Sequence, residues 1–461
     1  MILWLLLCLA AHAVPGLMLG HGPIQPLSPA VQVLLVRDGA RTVVAIQPSY
    51  IGPGQDFVWM LPVPAGVRRD QIVANGYLAE LFRHLDHVTA PRLVGLEQRD
   101  PCPPPPSGQP AFLGGRESHP AAMPPQGEGL RIAWRRWWYF QERREDRREV
   151  ARRVAAKARE MASSEYQLHL LSGQGSAVAR WLRRHGYPVN QRVRDFLTWQ
   201  VPPDHQVLIA QVAMEDVAYE RDHYALRPVM YVVEDETFQT NVSRNLSSAE
   251  TARWTLYVVG PSRYEVAERP NVVVPTNLSV RASAGLAFDA LYRGLVRRAR
   301  GERSDTVITE WAGHRGPCDR RSMGTFSLDW LSKAAGADLW TAPSSSAPLT
   351  LTRLSLLALR PRETLTFEPA PAIEAGLADL DPSGQISTAV TPSAENHVRA
   401  RYVVLRPWPT PSACEAPRTL WVPAAVNASS SAVYARSTLH QLYPPGASDE
   451  ELEDLLLSPL P

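Results

Sequence analysis

Two histidines in His84-Leu-Asp-His87 have residue types and a spacing that could serve metal binding. On a helix, residues three positions apart are neighbours, so this pair would supply half of a zinc site. A third ligand is not evident, and histidine and charged side chains usually face water. We therefore interpret the stretch as a solvated helix face and predict no metal.

A second candidate site is Gly173-Gln-Gly175, which follows a predicted strand and precedes a predicted helix. A dinucleotide-binding fingerprint would stand at such a place, but Val178 occupies the position of its third glycine. No clear acidic partner for a ribose follows from a parallel strand. The stretch is interpreted as a strand-to-helix turn, and no cofactor is predicted.

Aromatic residues and arginines are concentrated between 131 and 140. Such a surface docks on a partner protein of the cell envelope or on lipid headgroups. The alternative is a helical arm that folds its aromatic residues back onto the domain, because large apolar side chains are usually buried. Nucleic acid is not expected, since acidic residues from 142 to 149 offset the arginines. The predicted surface consists of Trp134, Arg135, Arg136, Trp137 and Trp138.

The sequence contains no nucleophile elbow, no His-Glu-x-x-His and no phosphate loop with a lysine. Binding or structural function is therefore favoured over catalysis, and no catalytic residue is assigned. The alternative is a hydrolase of envelope polymers whose acid and base come from separate segments, because such groups need not be local in sequence. Under that alternative, Asp56, Glu310 and His87 are the first residues to mutate.

Composition and the first residues indicate where the protein acts. The 461 residues are 45% hydrophobic and 20% charged, with a net charge of +2, as in an ordinary globular protein. Residues 1–13 resemble a signal peptide, with an apolar run and the small-x-small pattern Ala11-His-Ala13. An N-terminal anchor is the competing interpretation, which Pro15 and Gly16 disfavour. We expect export to the periplasm or the cell surface.

Removal of the signal would leave Cys102, Cys318 and Cys414. An odd number allows at most one intramolecular disulfide and leaves one free thiol. The predicted pair is Cys318 with Cys414, and the alternative is three unpaired cysteines.

Hydrophobic patterns predict the first elements of the fold. Asp38-Gly39 separates two apolar runs, 31–36 and 42–46, which is typical of a β-hairpin. The unbroken apolar run from Phe57 to Leu61 predicts a strand that is covered on both faces. Pro62 and Pro64 lack an amide donor, so they are expected to prevent this strand from continuing in a central position of a ladder.

The remaining patterns alternate between helices and strands without a steady βαβ order, so the predicted class is α+β with mostly antiparallel strands and interspersed helices. The main domain is predicted at 14–345, with an inserted helical arm at about 127–163. A Pro/Ser-rich extension with β-structure is predicted at 346–461 and ends in an acidic helix. The further predicted helices are 74–88, 176–185, 283–300, 326–335 and 449–457; the further strands are 166–171, 206–214, 227–233, 253–259, 271–274, 306–311 and 398–405.

Several of these segments resemble one bacterial family, catalogued as domain of unknown function 2330. The resemblance rests on 56–64, 81–92, Trp181-Leu-Arg-Arg-His-Gly-Tyr187, 208–212, 227–231, 307–311 and 351–354. Its most specific part is the set Asp56, Phe57, Trp59, Pro62 and Pro64, which we interpret as structural. The sequence departs from the family in lacking a cysteine after the signal and a C-terminal membrane segment. The resemblance implies export and a shared fold, and it carries no catalytic residues.

Overall fold

The structure is a computed structural model that describes residues 16–26, 28, 30–98, 102, 165–172, 175–220, 223–242, 253–303, 305–314, 349–357, 363–376, 388–409, 421–424 and 448–457. In these ranges the α-helices are α1 (Gly76–Thr89), α2 (Gly175–Arg184), α3 (Gln191–Asp195), α4 (Phe288–Arg300) and α5 (Asp449–Leu455).

The strands of the described residues are mostly antiparallel and are interspersed with these helices, which confirms the α+β class. They are β1 (Leu17–Gly20), β2 (Ala30–Asp38), β3 (Arg41–Tyr50), β4 (Phe57–Pro64), β5 (Val73–Ala74), β6 (Arg92–Gln98), β7 (Tyr166–Ser172), β8 (His205–Val212), β9 (Ala218–Glu220), β10 (His223–Ala225), β11 (Val229–Glu234), β12 (Gln239–Val242), β13 (Arg253–Gly260), β14 (Arg263–Val266), β15 (Asn271–Val273), β16 (Leu278–Ser279), β17 (Val307–His314), β18 (Thr350–Leu357), β19 (Glu363–Ala370), β20 (Ile373–Ala375), β21 (Thr391–Pro392), β22 (His397–Arg399), β23 (Arg401–Arg406) and β24 (Trp421–Ala424).

Most of the strand pairs are antiparallel, as predicted. A small sheet has the order β1-β4-β8-β7, and a main sheet has the order β21-β20-β22-β17-β18-β13-β2-β3-β10-β9. Two further sheets have the orders β12-β19-β14 and β16-β23-β6-β24. Parallel pairs join distant parts of the chain: β2 pairs with β13, and β6 pairs with β23.

The predicted hairpin is formed by β2 and β3. Their register pairs Asp38 with Arg41, so Gly39 and Ala40 form the turn. Gly39 has a φ of +58°, in the left-handed region that glycine adopts without steric cost.

The apolar run of β4 is covered on both faces, as its sequence predicts. Phe57 and Trp59 belong to the core between the small sheet and the main sheet strands. Val58 and Met60 point the other way and pack in a separate cluster with Leu182 of α2. Because side chains alternate along a strand, an unbroken apolar sequence is what a strand with two buried faces requires.

Strand β4 continues further than predicted, through Pro62 to Pro64. Its partner β1 ends at the pair Leu17–Met60, whereas β8 stays paired along the whole of β4. The two prolines therefore lie where β4 has a neighbour on one side only, a position in which a strand tolerates a missing N–H. The prediction was wrong about the end of the strand, and right that a doubly paired position stops before the prolines.

Other element boundaries also differ from the prediction. The strand expected at 398–405 divides at Ala400 into β22 and β23, which belong to different sheets. The helix expected from Ser283 begins at Phe288, after a short 3₁₀ turn. The predicted helix 326–335 and the predicted arm at 127–163 lie outside the described residues.

The predicted domain boundary at 345/346 falls between two strands that pair with each other. Strand β18 lies between β17 and β13 in the main sheet. Residues on both sides of the boundary therefore contribute to the same sheet. The domain division itself stays a prediction.

Candidate functional site

A buried ionic cluster joins three adjacent strands of the main sheet to two helices. Glu310 of β17 accepts hydrogen bonds from Arg353 of β18 at 2.6 Å and from Arg253 of β13 at 3.0 Å. The hydroxyl of Tyr292 in α4 also donates to Glu310. Arg353 in turn donates to the carboxylate of Asp86 in α1 at 2.8 Å.

Local backbone geometry aims Glu310 into this cluster. The register between β17 and β18 shifts between Thr309 and Trp311, so Glu310 is the extra residue of a β-bulge. A bulge re-aims the side chain of its extra residue. The carbonyl of Glu310 accepts a hydrogen bond from the N–H of Ala400, the residue at which the chain passes from β22 to β23.

The cluster is closed to solvent and electrostatically matched. Glu310 and Arg353 have no accessible surface. Burial disfavours the charged form of Glu310, but Arg353 and Arg253 outweigh it and hold the pKa of the carboxyl below its ordinary value. Glu310 is therefore an ionised carboxylate without contact with solvent.

The three residues named for the hydrolase alternative have different surroundings in the structure. Glu310 is sealed in the ionic cluster. Asp56 is exposed and accepts a hydrogen bond from the N–H of Met214 at 2.9 Å. His87 is exposed on α1. Among the contacts that the structure gives these residues in the described ranges, none joins two of the three.

The histidines of the predicted helix face lie on α1, with His84 half-buried and His87 exposed. Within the described ranges, no group of three or more His, Cys, Asp or Glu side chains is arranged to hold a metal ion. Gly175 is the first residue of α2, and Gly173 lies outside the described part of the chain.

A cluster of stacked rings surrounds the end of α2. The Trp181 and His185 rings stack with centroids 3.9 Å apart, and His169 of β7 lies 5.0 Å from Trp181. On the other side, His21 stacks on Tyr187 at 4.0 Å. Burial lowers the pKa of His169, and His185 lowers it further, so His169 adds no charge at neutral pH.

Helix α2 ends at a residue that the sequence identifies. Gly186 has a φ of +78°, and the N–H of Tyr187 donates to the carbonyl of Leu182 at 2.9 Å. This closing hydrogen bond across a left-handed glycine is the usual end of a helix. It fixes Tyr187 in the stack and leaves the last turn of α2 at the surface.

Three arginines, which we call the arginine face, line the exposed side of α2. Arg180, Arg183 and Arg184 recur at helical neighbour spacing, and all three are exposed. The structure gives none of them a side-chain hydrogen bond or a carboxylate partner within its described residues. From residue 166 to 194 the sequence has five arginines and no aspartate or glutamate.

The surface predicted from sequence, Trp134, Arg135, Arg136, Trp137 and Trp138, lies outside the described residues and stays a prediction. The arginine face is not among the sites predicted from the sequence, although Trp181-Leu-Arg-Arg-His-Gly-Tyr187 contributes to the family resemblance. The signal that identifies it is the acid-free run of arginines, combined with the period of a helix.

Of the cysteines, Cys102 is the one that lies in the described part of the chain. Cys102 is disulfide-bonded, so the alternative of three unpaired cysteines is wrong. The predicted pair, Cys318 and Cys414, lies outside the described residues and stays a prediction. Without residues 1–13, Cys318 and Cys414 are the remaining intramolecular partners for Cys102, so the predicted pair and the removal of the signal are incompatible with each other.

Comparison with known proteins identifies the family. A family model described as "Uncharacterized protein conserved in bacteria (DUF2330)" matches residues 10–341. The chain belongs to the DUF2330 family. The match includes β1 to β17 and the arginine face, and it ends before β18, short of the segment at 351–354 that the sequence resemblance included. No curated protein and no solved structure matches the chain.

No described helix of this DUF2330 protein is both long and apolar enough to cross a bilayer.

Proposed function

We propose that this DUF2330 protein is an exported, non-catalytic protein of the bacterial cell envelope that acts by binding an anionic partner. The arginine face carries the proposal, because three exposed guanidinium groups stand together without a carboxylate in the described part of the chain. The sealed position of Glu310 supports the non-catalytic part of the proposal.

Repulsion between the charges of the arginine face destabilises α2 as an isolated helix. Like charges at three- and four-residue spacing destabilise a helix by roughly 0.2–0.5 kcal/mol per pair. The helix dipole offsets part of this repulsion at Arg183 and Arg184, which lie in the last turn of α2. A bound anion would remove the remaining repulsion between the arginines, and the planar guanidinium group suits phosphate and carboxylate oxygens.

Export is supported by residues 1–13, whose apolar run and Ala11-His-Ala13 pattern resemble a signal peptide. The proposal therefore predicts a product outside the cytosol. Mass spectrometry of the native protein from fractionated cells would give its first residue and its compartment. A cytosolic product that retains residues 1–13 would contradict the export part of the proposal.

Binding is tested with the full chain and long-chain polyphosphate, followed by isothermal titration calorimetry. The test variant is Arg180→Gln/Arg183→Gln/Arg184→Gln. Exposed ion pairs are each worth up to about 1 kcal/mol, so we expect the three substitutions together to weaken binding on the order of 100-fold.

A matched control separates the arginine face from net charge. Arg68, Arg83 and Arg303 are also exposed, but each has a carboxylate partner, respectively Asp70, Glu80 and Asp305. The variant Arg68→Gln/Arg83→Gln/Arg303→Gln removes the same charge and is expected to bind polyphosphate as the unmodified chain does. An equal loss in both triple variants, or no binding by the unmodified chain, would overturn the proposal.

A further inference from the structure

We infer that the anionic partner is a lipid bilayer, on which the arginine face docks while the loop from His21 to Ile24 inserts an apolar tip. This inference rests on the proposed function, because it uses the same three arginines. It adds a second contact, and that contact decides between a membrane and a soluble polyanion.

The loop that follows β1 is held in a defined conformation. The N–H of Gly20 donates to the side-chain oxygen of Gln25 at 3.2 Å, and the side-chain amide of Gln25 donates to the carbonyl of Gly22 at 2.5 Å. These two bonds close the loop on itself. Ile24, which lies between Gly22 and Gln25 in the chain, has 69% of its area exposed.

The same loop is attached to the end of α2. His21 stacks on Tyr187, and its Nδ1 lies 3.2 Å from the carbonyl oxygen of Gly186. Ile24 follows His21 by three residues, so chain length alone places its Cα atom within roughly 10 Å of the Cα atom of His21. The apolar tip and the cationic last turn of α2 are therefore neighbours.

An exposed aliphatic residue is ordinary when it is isolated. Beside a cationic surface, it completes the combination that peripheral membrane proteins use, in which arginines bind anionic headgroups and an apolar side chain enters the acyl boundary. A soluble polyanion would use the arginines and leave Ile24 in water. The combination of a cationic surface and an exposed apolar side chain therefore favours a bilayer of anionic lipid as the partner.

The experiment measures sedimentation of the full chain with phosphatidylcholine vesicles, prepared with and without phosphatidylglycerol. We expect partition onto vesicles that contain phosphatidylglycerol, and little onto phosphatidylcholine alone. Each cationic residue near such a surface contributes roughly a factor of five, so Arg180→Gln/Arg183→Gln/Arg184→Gln should lower the partition coefficient on the order of 100-fold. The control Arg68→Gln/Arg83→Gln/Arg303→Gln should retain it.

A second pair of variants tests the apolar tip. Ile24→Ser should lower partition onto phosphatidylglycerol vesicles roughly ten-fold, because it removes the side chain that leaves water. The same variant should bind polyphosphate as the unmodified chain does. The control Val390→Ser alters another exposed aliphatic residue, 48% accessible, and should change neither measurement.

The outcomes distinguish this inference from the proposed function. Polyphosphate binding without vesicle binding, or vesicle binding that Ile24→Ser leaves unchanged, would overturn the membrane inference and leave anion binding intact. Failure of the unmodified chain to bind either polyphosphate or phosphatidylglycerol vesicles would overturn both.

Discussion

Replacing Glu310 with glutamine leaves two buried guanidinium groups, those of Arg353 and Arg253, around a neutral amide. Removing one partner of a buried ion pair usually costs about 3–5 kcal/mol, because the remaining charge stays buried without compensation. We expect Glu310→Gln to lower the free energy of unfolding by this amount, as measured by urea denaturation. Asp70→Asn removes a carboxylate from an exposed pair and should leave the unfolding midpoint unchanged.

Equal midpoints for these two variants would contradict the structural role of Glu310. Loss of anion binding in Glu310→Gln, with stability retained, would also contradict it, because the account separates the buried cluster from the arginine face.

A second buried carboxylate, that of Glu165, has its pKa shifted in the direction opposite to that of Glu310. Burial raises the pKa of Glu165 from 4.5 to about 7, although Arg227 lies 2.8 Å away and favours the charged form. The folded chain therefore holds a proton that the unfolded chain releases between these two pH values. Stability from this group is fully present below 4.5 and is lost as the pH rises to about 7.

The corresponding variant is Glu165→Gln, whose side chain does not titrate. Urea denaturation across this pH range should show that the unmodified chain loses up to about 1.4 kcal/mol per pH unit more than the variant does. The same pH slope in both proteins would show that Glu165 is charged in the folded state and that Arg227 dominates its pKa.

At the scale of elements, the acidic terminal helix α5 is part of the core. Leu452 of α5 is fully buried in a cluster with Val280 and Leu291, whereas Leu457 is 53% exposed. Truncation of a buried leucine usually costs 2–5 kcal/mol, roughly, through lost contacts and a residual cavity. Leu452→Ala should therefore lower the thermal unfolding midpoint clearly, and Leu457→Ala should not; similar midpoints would mean that α5 is not docked.

Local signals predicted the elements whose structure is decided locally. The turn at Gly39 and the end of α2 at Gly186 need glycine in a left-handed conformation. Asn75 caps α1, because its side chain accepts a hydrogen bond from the N–H of Leu78. Such features depend on a few neighbouring residues, so the sequence reveals them.

Features that depend on distant residues were not predictable. The parallel pairing of β2 with β13 joins residues more than two hundred positions apart. The division of one predicted strand at Ala400 reflects the pairing of β22 and β23 in two different sheets. The bulge at Glu310 is visible only in the register with β18. Glu310 can therefore be chosen from the sequence as a residue of interest, but its role cannot be predicted from it. The arginine face differs, because its signal, an acid-free run of arginines with the period of a helix, is present in the sequence itself.

At the scale of the whole molecule, charge is distributed unevenly although its sum is small. The net charge is +2, so no global field draws the protein to a polyanion. The local field at α2 is different, because the five arginines between 166 and 194 have no acidic residue among them. Binding at this face should weaken with added salt, since exposed charges are screened over about 8 Å at physiological ionic strength.

The most direct test of anion binding at this face is arginine-specific modification of the unmodified full chain by phenylglyoxal, mapped by peptide mass spectrometry with and without polyphosphate. The account predicts that polyphosphate protects Arg180, Arg183 and Arg184, while Arg68, Arg83 and Arg303 react at unchanged rates. Reaction of the arginine face at the same rate in both conditions, or equal protection of both sets, would contradict it.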